Sequence, residues 1–291
     1  MGFGIALAGG GTRGAAHVGV LLALNEAGLY PSAVAGASAG SIVGGLYAAG
    51  IPAKRLQHIL LSLSRSGREL IDPDIKGLLL ALVQLLTRRP VTMQGLVKGD
   101  RLERFLCSLT GGKAMHDLSL RTIIPAVNIR TGETIAYTNT LAGVRPLPRV
   151  RWSTEAPLCR AIRASCAFPA VFRPVTRDGG CLVDGGLTDN LPVNLLLAAG
   201  VPQVLAVDVS EEYEPPETEG VIEIVSHSLT ILTTRMREYV ARGEALLLHP
   251  RLPEKAGLLT FREMAGCMQE GYRQTKEQIP LIRALFASSA G

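Results

Sequence analysis

Ser38 stands in GASAG at 36–40, a G-x-S-x-G pattern between the apolar run AVAG at 33–36 and the glycine-rich stretch SAGSIVGGLYAAG at 38–50. A hydroxyl flanked by small residues at a strand-to-helix junction can be held clear of a sheet on a sharp turn, and the small Gly36 and Gly40 permit that turn. The N-terminus of the following helix would favour an alkoxide or oxyanion there. The same serine also suits an ordinary helix N-cap. Upstream, GGGTRG at 9–14 follows another apolar run. Gly9, Gly11 and Gly14 match the G-x-G-x-x-G of dinucleotide sites, which also wants an acidic residue at the end of the next strand. That strand is AVAG, and it leads into GASAG with no carboxylate. No Lys-Ser/Thr pair follows to make a P-loop. The run can instead turn the N–H groups of Gly10 and Gly11 toward one point, the arrangement that stabilises the oxyanion of acyl transfer.

A serine nucleophile needs a base. The histidines are His17, His58, His116, His227 and His249. In the chain order Ser–Asp–His, Asp184 or Asp208 with His227 or His249 would make a triad. Neither histidine has a local context that marks it. LVDGGLTDNLP at 182–192, by contrast, sets Asp184 at a strand end before Gly185 and Gly186. Strand ends are where α/β sheets bind ligands. An aspartate there could deprotonate the serine directly, and it would equally serve as an Asx-turn. A free carboxylate near pKa 4 is a weak base, so geometry would have to supply much of the rate.

The elements that must position these groups alternate. FGIALAG at 3–9, AVAG at 33–36 and VLAVDVS at 204–210 read as buried strands. AAHVGVLLALNEAGL at 15–29 and the stretch at 38–50 read as helices. This is the α/β signature. From 53 to 118 the pattern is mostly helical, with RLQHILLSL, IKGLLLALVQLL and DRLERFLCSL. TIIPAVNIR at 122–130 predicts a strand with a turn at Thr131–Gly132, and APLCRAIRASCAFP at 156–169 a helix broken at Pro169. A strand end at 181–186 and a helix at 193–200 follow. Beyond them come a polar loop at 210–220, a long helix at 221–242, a last strand at 246–249 and a final helix, QIPLIRALFA.

Composition narrows the classes. Hydrophobic residues make up 47% of the 291, charged residues 19% and aromatics 4%, so an Ala-, Leu- and Val-lined core is expected, within one domain over 1–291. The net charge of +5 is scattered. Its short clusters, Arg88–Arg89 and Arg145–Arg151, lack interleaved aromatics, which argues against nucleic acid. Five cysteines without a CxxC pair predict neither a disulfide scaffold nor a zinc site. No cofactor and no metal are expected. The start lacks the basic region of a standard signal peptide, and 77–86 is too short to cross a bilayer. A cytoplasmic protein is expected, with peripheral contact at the inner membrane face left open. Residues 75–97 suit three roles: lid or wall of an acyl channel, lipid-surface contact beside Arg88 and Arg89, or core.

Four stretches in one order then carry a resemblance: GGGTRG at 9–14, GASAG at 36–40, ASCAFP ending at Pro169, and DGGLTDNLP at 184–192. Together they resemble the patatin-like phospholipase family over roughly residues 3–210. The resemblance implies a three-layer α/β/α fold with a central, mostly parallel sheet, a nucleophile elbow and a Ser–Asp dyad. It implies Ser38 as nucleophile, Asp184 as base, and the backbone of Gly9, Gly10, Gly11 and Thr12 as the oxyanion loop, with Arg13 in support. A second DGG at 178–180 reads as a hairpin turn. Only Asp184 is followed by the spaced Asn190 and Pro192 of the family pattern. The residues after 210 carry no motif of the family. The expected substrate is an acyl ester of a lipid. A soluble carboxylesterase or thioesterase, or a lipid-binding module without catalysis, are the alternatives.

Overall fold

In the computed structural model, residues 2–177, 179–210, 220, 224–225, 227–232, 235 and 243–286 are described. Asp178, the loop at 211–219 and most of the helix expected at 221–242 lie outside the described residues.

The short, continuous apolar runs form the strands β1 (Gly4–Leu7), β2 (Ala33–Gly36) and, far along the chain, β8 (Val204–Val207), all buried throughout. They lie side by side and parallel, as strands covered on both faces do. Between them run α1 (Ala15–Glu26) and α2 (Ala39–Ala48). Three more helices follow, α3 (Ala53–Ser66), α4 (Ile75–Leu86) and α5 (Asp100–Thr110). Next come β3 (Arg121–Asn128), β4 (Glu133–Thr138), β5 (Val150–Ser153), α6 (Leu158–Ser165), β6 (Val175–Arg177) and β7 (Gly180–Asp184). The chain continues through α7 (Gly186–Asp189), α8 (Val193–Ala198), β8, β9 (Leu246–Leu248) and α9 (Met264–Phe286). The sheet order is β5-β4-β3-β2-β1-β8-β9, with β7 also on β3 and β6 on β7. Pairing is parallel except at β3–β4, β3–β7 and β6–β7. Helices cover both faces. Gly4 of β1 abuts Leu196 of α8, and Leu7 abuts Gly44 of α2. Residues three apart on a strand point to opposite sides.

One edge of β3 is shared. β2 pairs with its first part, Ala35 opposite Ile123, and β7 pairs antiparallel with its last part, Asp184 opposite Ala126. The two strands therefore run toward each other along β3. They leave a gap at two residues of β3, Ile124 and Pro125, unpaired on that edge, a span of roughly 10 Å at strand rise. Pro125, which has no N–H to give a partner, falls in that gap. The turn after β2 and the end of β7 meet there.

Several expectations change. The helix expected over 156–169 stops at Ser165, because the chain turns there to reach the strand ends. β4 and β5 extend the sheet beyond the predicted Thr131–Gly132 turn. The final helix starts at Met264 and runs through Pro280. It packs on α1 where Gly19 meets the Met268 backbone and Gly271 meets that of Ala16, and Phe3 touches Phe286. The cysteine pattern predicts no disulfide scaffold, yet Cys107 and Cys159 form a disulfide between α5 and α6, with Cα atoms 4.9 Å apart. The core reading of 75–86 is overturned as well: α4 has no buried residue. Its formation is local, through helix-favouring leucines and an Asp74 N-cap that accepts the Gly77 N–H at 3.1 Å.

Candidate active site

Ser38 sits between β2 and α2 with φ 48° and ψ −121°, a left-handed conformation that non-glycine residues rarely adopt. Its surroundings impose it. Gly36 lies against the Gly40 carbonyl and Gly40 against that of Leu7, so a side chain at either place would open the turn. The Ser38 N–H donates to Ser165 Oγ at 3.0 Å. The Ser38 carbonyl accepts from the Ser41 N–H at 2.9 Å and from Cys166 Sγ at 3.2 Å. Burial pushes the Cys166 thiol up to about 12, which keeps it a protonated donor.

Across the gap, Ser38 Oγ donates to Asp184 Oδ2 at 2.7 Å. Asp184 Oδ1 accepts the Gly186 N–H at 2.8 Å. Gly185 is pressed against the Pro125 carbonyl, so the chain can turn there only without a side chain. The end of α6 fixes both partners, since the Asp184 N–H donates to Ala167 O and the Gly185 N–H to Ser165 O. Asp184 is 2% exposed. Its burial raises the carboxyl from 3.8 to about 7, although the bonds from Ser38 and Gly186 pull the other way. The site thus holds a carboxylate near neutral pKa against a hydroxyl.

Only part of the glycine loop has amides left to serve an oxyanion. The Gly9 N–H donates to Asn190 O and the Thr12 N–H to Gly257 O. Those of Gly10 and Gly11 have no acceptor among the described residues. Gly11 has φ 57° and rests against the Leu258 backbone, so both conformation and space require glycine. Arg13 is buried and its Nη1 donates to Ala256 O at 3.2 Å, tying the loop to the chain before α9. Thr12 Oγ1 donates to Gly257 O at 2.6 Å.

Two cavities meet at Ser38. One, of about 160 Å³, is walled by apolar side chains that include Ile42, Leu46, Leu60, Phe105 and Phe172. The other, of about 130 Å³, is more polar and reaches Gly10, Arg13, Asp184, Asn190 and Ser210. Ser38, Gly11, Phe168 and Leu258 border both.

The histidines separate. His249 Nδ1 pairs with buried Asp208 Oδ2 at 3.0 Å. His227 lines neither cavity, and among the described residues no histidine hydrogen-bonds to Ser38. His17, unmarked in sequence, is buried in α1 and its Nε2 lies 2.8 Å from Ala8 O. Burial lowers its pKa to about 4. The neutral ring must carry its proton on Nε2, because a carbonyl can only accept. It anchors the residue before the glycine loop. Sequence reasoning also missed Ser165 as the partner of Ser38 and the whole 256–261 strap. The strap acts largely through backbone carbonyls, which leave no side-chain signature.

The model of the patatin-like phospholipase family matches residues 5–197. An uncharacterized NTE family protein of Mycobacterium tuberculosis is 31% identical over 217 residues, 74% of this chain and 51% of the relative. Lysophospholipase NTE1 of Mycosarcoma maydis is 31% identical over 209 residues, 72% of this chain and 10% of the relative. Patatin-like phospholipase domain-containing protein 6 of Homo sapiens is 31% identical over 212 residues, 72% of this chain and 13% of the relative. The chain spans about half or less of the length of these relatives. With a family match over most of its length and relatives at this identity, the chain belongs to the patatin-like phospholipase family.

Proposed function

We propose that the chain is a serine acyl hydrolase that cleaves lipid-type acyl esters through a Ser38–Asp184 dyad. The observation that carries this reading is the 2.7 Å bond from Ser38 Oγ to a carboxylate whose pKa is raised to about 7, at the junction of an apolar cavity and a more polar one. A base poised near the working pH takes a proton more readily than a free aspartate would.

Asp184 Oδ2 accepts the Ser38 proton as Oγ attacks the ester carbonyl. The carbonyl electrons move onto oxygen, and the Gly10 and Gly11 amides receive that oxyanion. Collapse expels the alcohol, which leaves with the proton from Asp184, and the acyl group stays on Ser38. Water then gives its proton to Asp184 and attacks the acyl carbon. The acid departs, and the proton returns to Ser38. The apolar cavity suits the acyl chain, and the more polar one, which reaches Arg13 and Asn190, suits the leaving alcohol. The strained turn at Ser38 serves as a nucleophile elbow. The names of the fungal lysophospholipase and the human phospholipase-domain protein are in keeping with a lipid substrate.

The experiment is hydrolysis of an ester panel graded in acyl length by the wild type and Ser38→Ala. The wild type should prefer acyl chains long enough to enter the apolar cavity, and the folded variant should lose hydrolysis of every ester. Retained hydrolysis by Ser38→Ala would overturn the reading, and a preference for acetyl esters would remove its lipid part.

A further inference from the structure

Helix α4 is an apolar element that the fold leaves outside. Its side chains span 43% exposure at Leu78 to 76% at Leu86, with Ile75, Leu79, Leu80, Leu82, Val83 and Leu85 between. At 100° per residue these positions cover roughly two thirds of the circumference, leaving Gly77, Ala81 and Gln84 on the narrow remainder. A helix docked on its own fold buries a stripe; this one buries nothing. It is nonetheless held firmly at its base. The Asp74 N–H donates to Leu96 O, and the buried Asp74 carboxylate caps the helix and forms an ion pair with Arg173. At the far end Gln84 and Thr92 bond reciprocally, so the returning chain is fastened to the helix.

Charge points to the occupant. Residues 75–99 contain Lys76, Arg88, Arg89 and Lys98 and no acidic residue. Lys76, Arg88 and Arg89 are exposed. A second copy meeting this helix through its own α4 would crowd these cations together. An anionic bilayer would receive the leucines in its acyl region and the cations at its headgroups. Twelve residues span about 18 Å, short of the roughly 30 Å hydrocarbon core, so α4 can lie in the interface but cannot cross it.

Place in the fold adds the second link. The two ends of the excursion, Ile71 and Leu96–Val97, pack with Val171, Phe172, Phe168 and Leu258 in one small cluster. Phe168 and Leu258 are two of the residues that border both cavities at Ser38. The base of α4 therefore packs against side chains that wall the two cavities.

We propose that α4 is a docking element for anionic lipid surfaces, its leucines entering the bilayer interface and Lys76, Arg88 and Arg89 meeting the headgroups. The inference does not depend on catalysis, so binding is measured in Ser38→Ala protein of residues 1–291. Sedimentation with phosphatidylcholine vesicles, with and without phosphatidylglycerol, should show stronger binding to the anionic set and a loss of that difference at high salt. Leu79→Ser with Leu82→Ser should weaken binding about tenfold or more. Arg88→Gln with Arg89→Gln should remove roughly fivefold per residue, and only on anionic vesicles. Because α4 buries nothing, both double variants should keep the parent melting temperature. Unchanged vesicle binding in the leucine variant would overturn the proposal, as would a marked fall in its melting temperature. A concentration-dependent dimer that the leucine variant abolishes would assign the face to a second copy instead. Failure of the ester panel with vesicle binding intact would sink the hydrolase reading alone.

Discussion

Replacing Asp184 by asparagine should stabilise the fold at neutral and alkaline pH while it removes activity. The folded carboxyl keeps its proton up to about 7, against an ordinary 3.8, because burial disfavours the charge. Between those values the native state binds more protons than the unfolded chain, so stability falls as pH rises and levels off above about 7. At about 1.36 kcal/mol per pH unit, the full opposition is about 4 kcal/mol, of which about 3 kcal/mol develops above pH 5. Asparagine keeps the shape: its oxygen can accept the Gly186 N–H, and its NH2 can donate to Ser38 Oγ. His17 has the opposite sign, since its lowered pKa makes stability fall as pH drops below about 6.5. It is present in both proteins and cancels in the difference. Denaturant titrations at several pH values should therefore show the gap between Asp184→Asn and wild type growing by about 3 kcal/mol from about pH 5 to about pH 8. In the same samples kcat should drop by about a thousandfold. A gap that is flat with pH, or a variant that is less stable at pH 8, would refute the claim that the burial of Asp184 tunes it as a base.

Gly11→Ala should cost about 1–3 kcal/mol of stability, because φ 57° and the Leu258 backbone both oppose a side chain. It should also lower kcat about a hundredfold or more by turning an oxyanion donor away; steady-state kinetics on folded variant checks this. Cys107→Ser with Cys159→Ala should lower unfolding free energy by about 2–4 kcal/mol, as expected for a bridge spanning 52 residues. Dithiothreitol should reproduce that loss in wild type and leave the variant unchanged.

Legibility followed the kind of interaction. The meeting of Ser38 with Asp184 was legible because their neighbours must be small: Gly36, Gly40 and Gly185 face backbone carbonyls at contact distance, and that requirement is written in residue type. β1, β2 and β8 could be read because strands buried on both faces are short unbroken apolar runs. β5 could not, since it is a half-exposed edge with no such run. The open amides illustrate a second limit. Gly9 and Thr12 look like Gly10 and Gly11 in sequence, but Asn190 and Gly257 occupy their N–H groups through distant backbone. His17 sits in an apolar helix as any buried residue would, and only the Ala8 carbonyl beside it gives it a task. Residues 75–86 kept three readings because an apolar helix has one pattern whether it is packed, closed over a cavity or bare; the fold left it bare.

The most direct test of the account is where an acyl-type electrophile attaches, and at what pH. Wild type is treated with a fluorophosphonate across a pH series, digested and mapped by mass spectrometry. The adduct should fall on Ser38, its rate of formation should rise with pH through about 7 as Asp184 ionises, and Asp184→Asn should abolish that rise. An adduct on another serine, or labelling of Ser38 that is equally fast in Asp184→Asn, would contradict it.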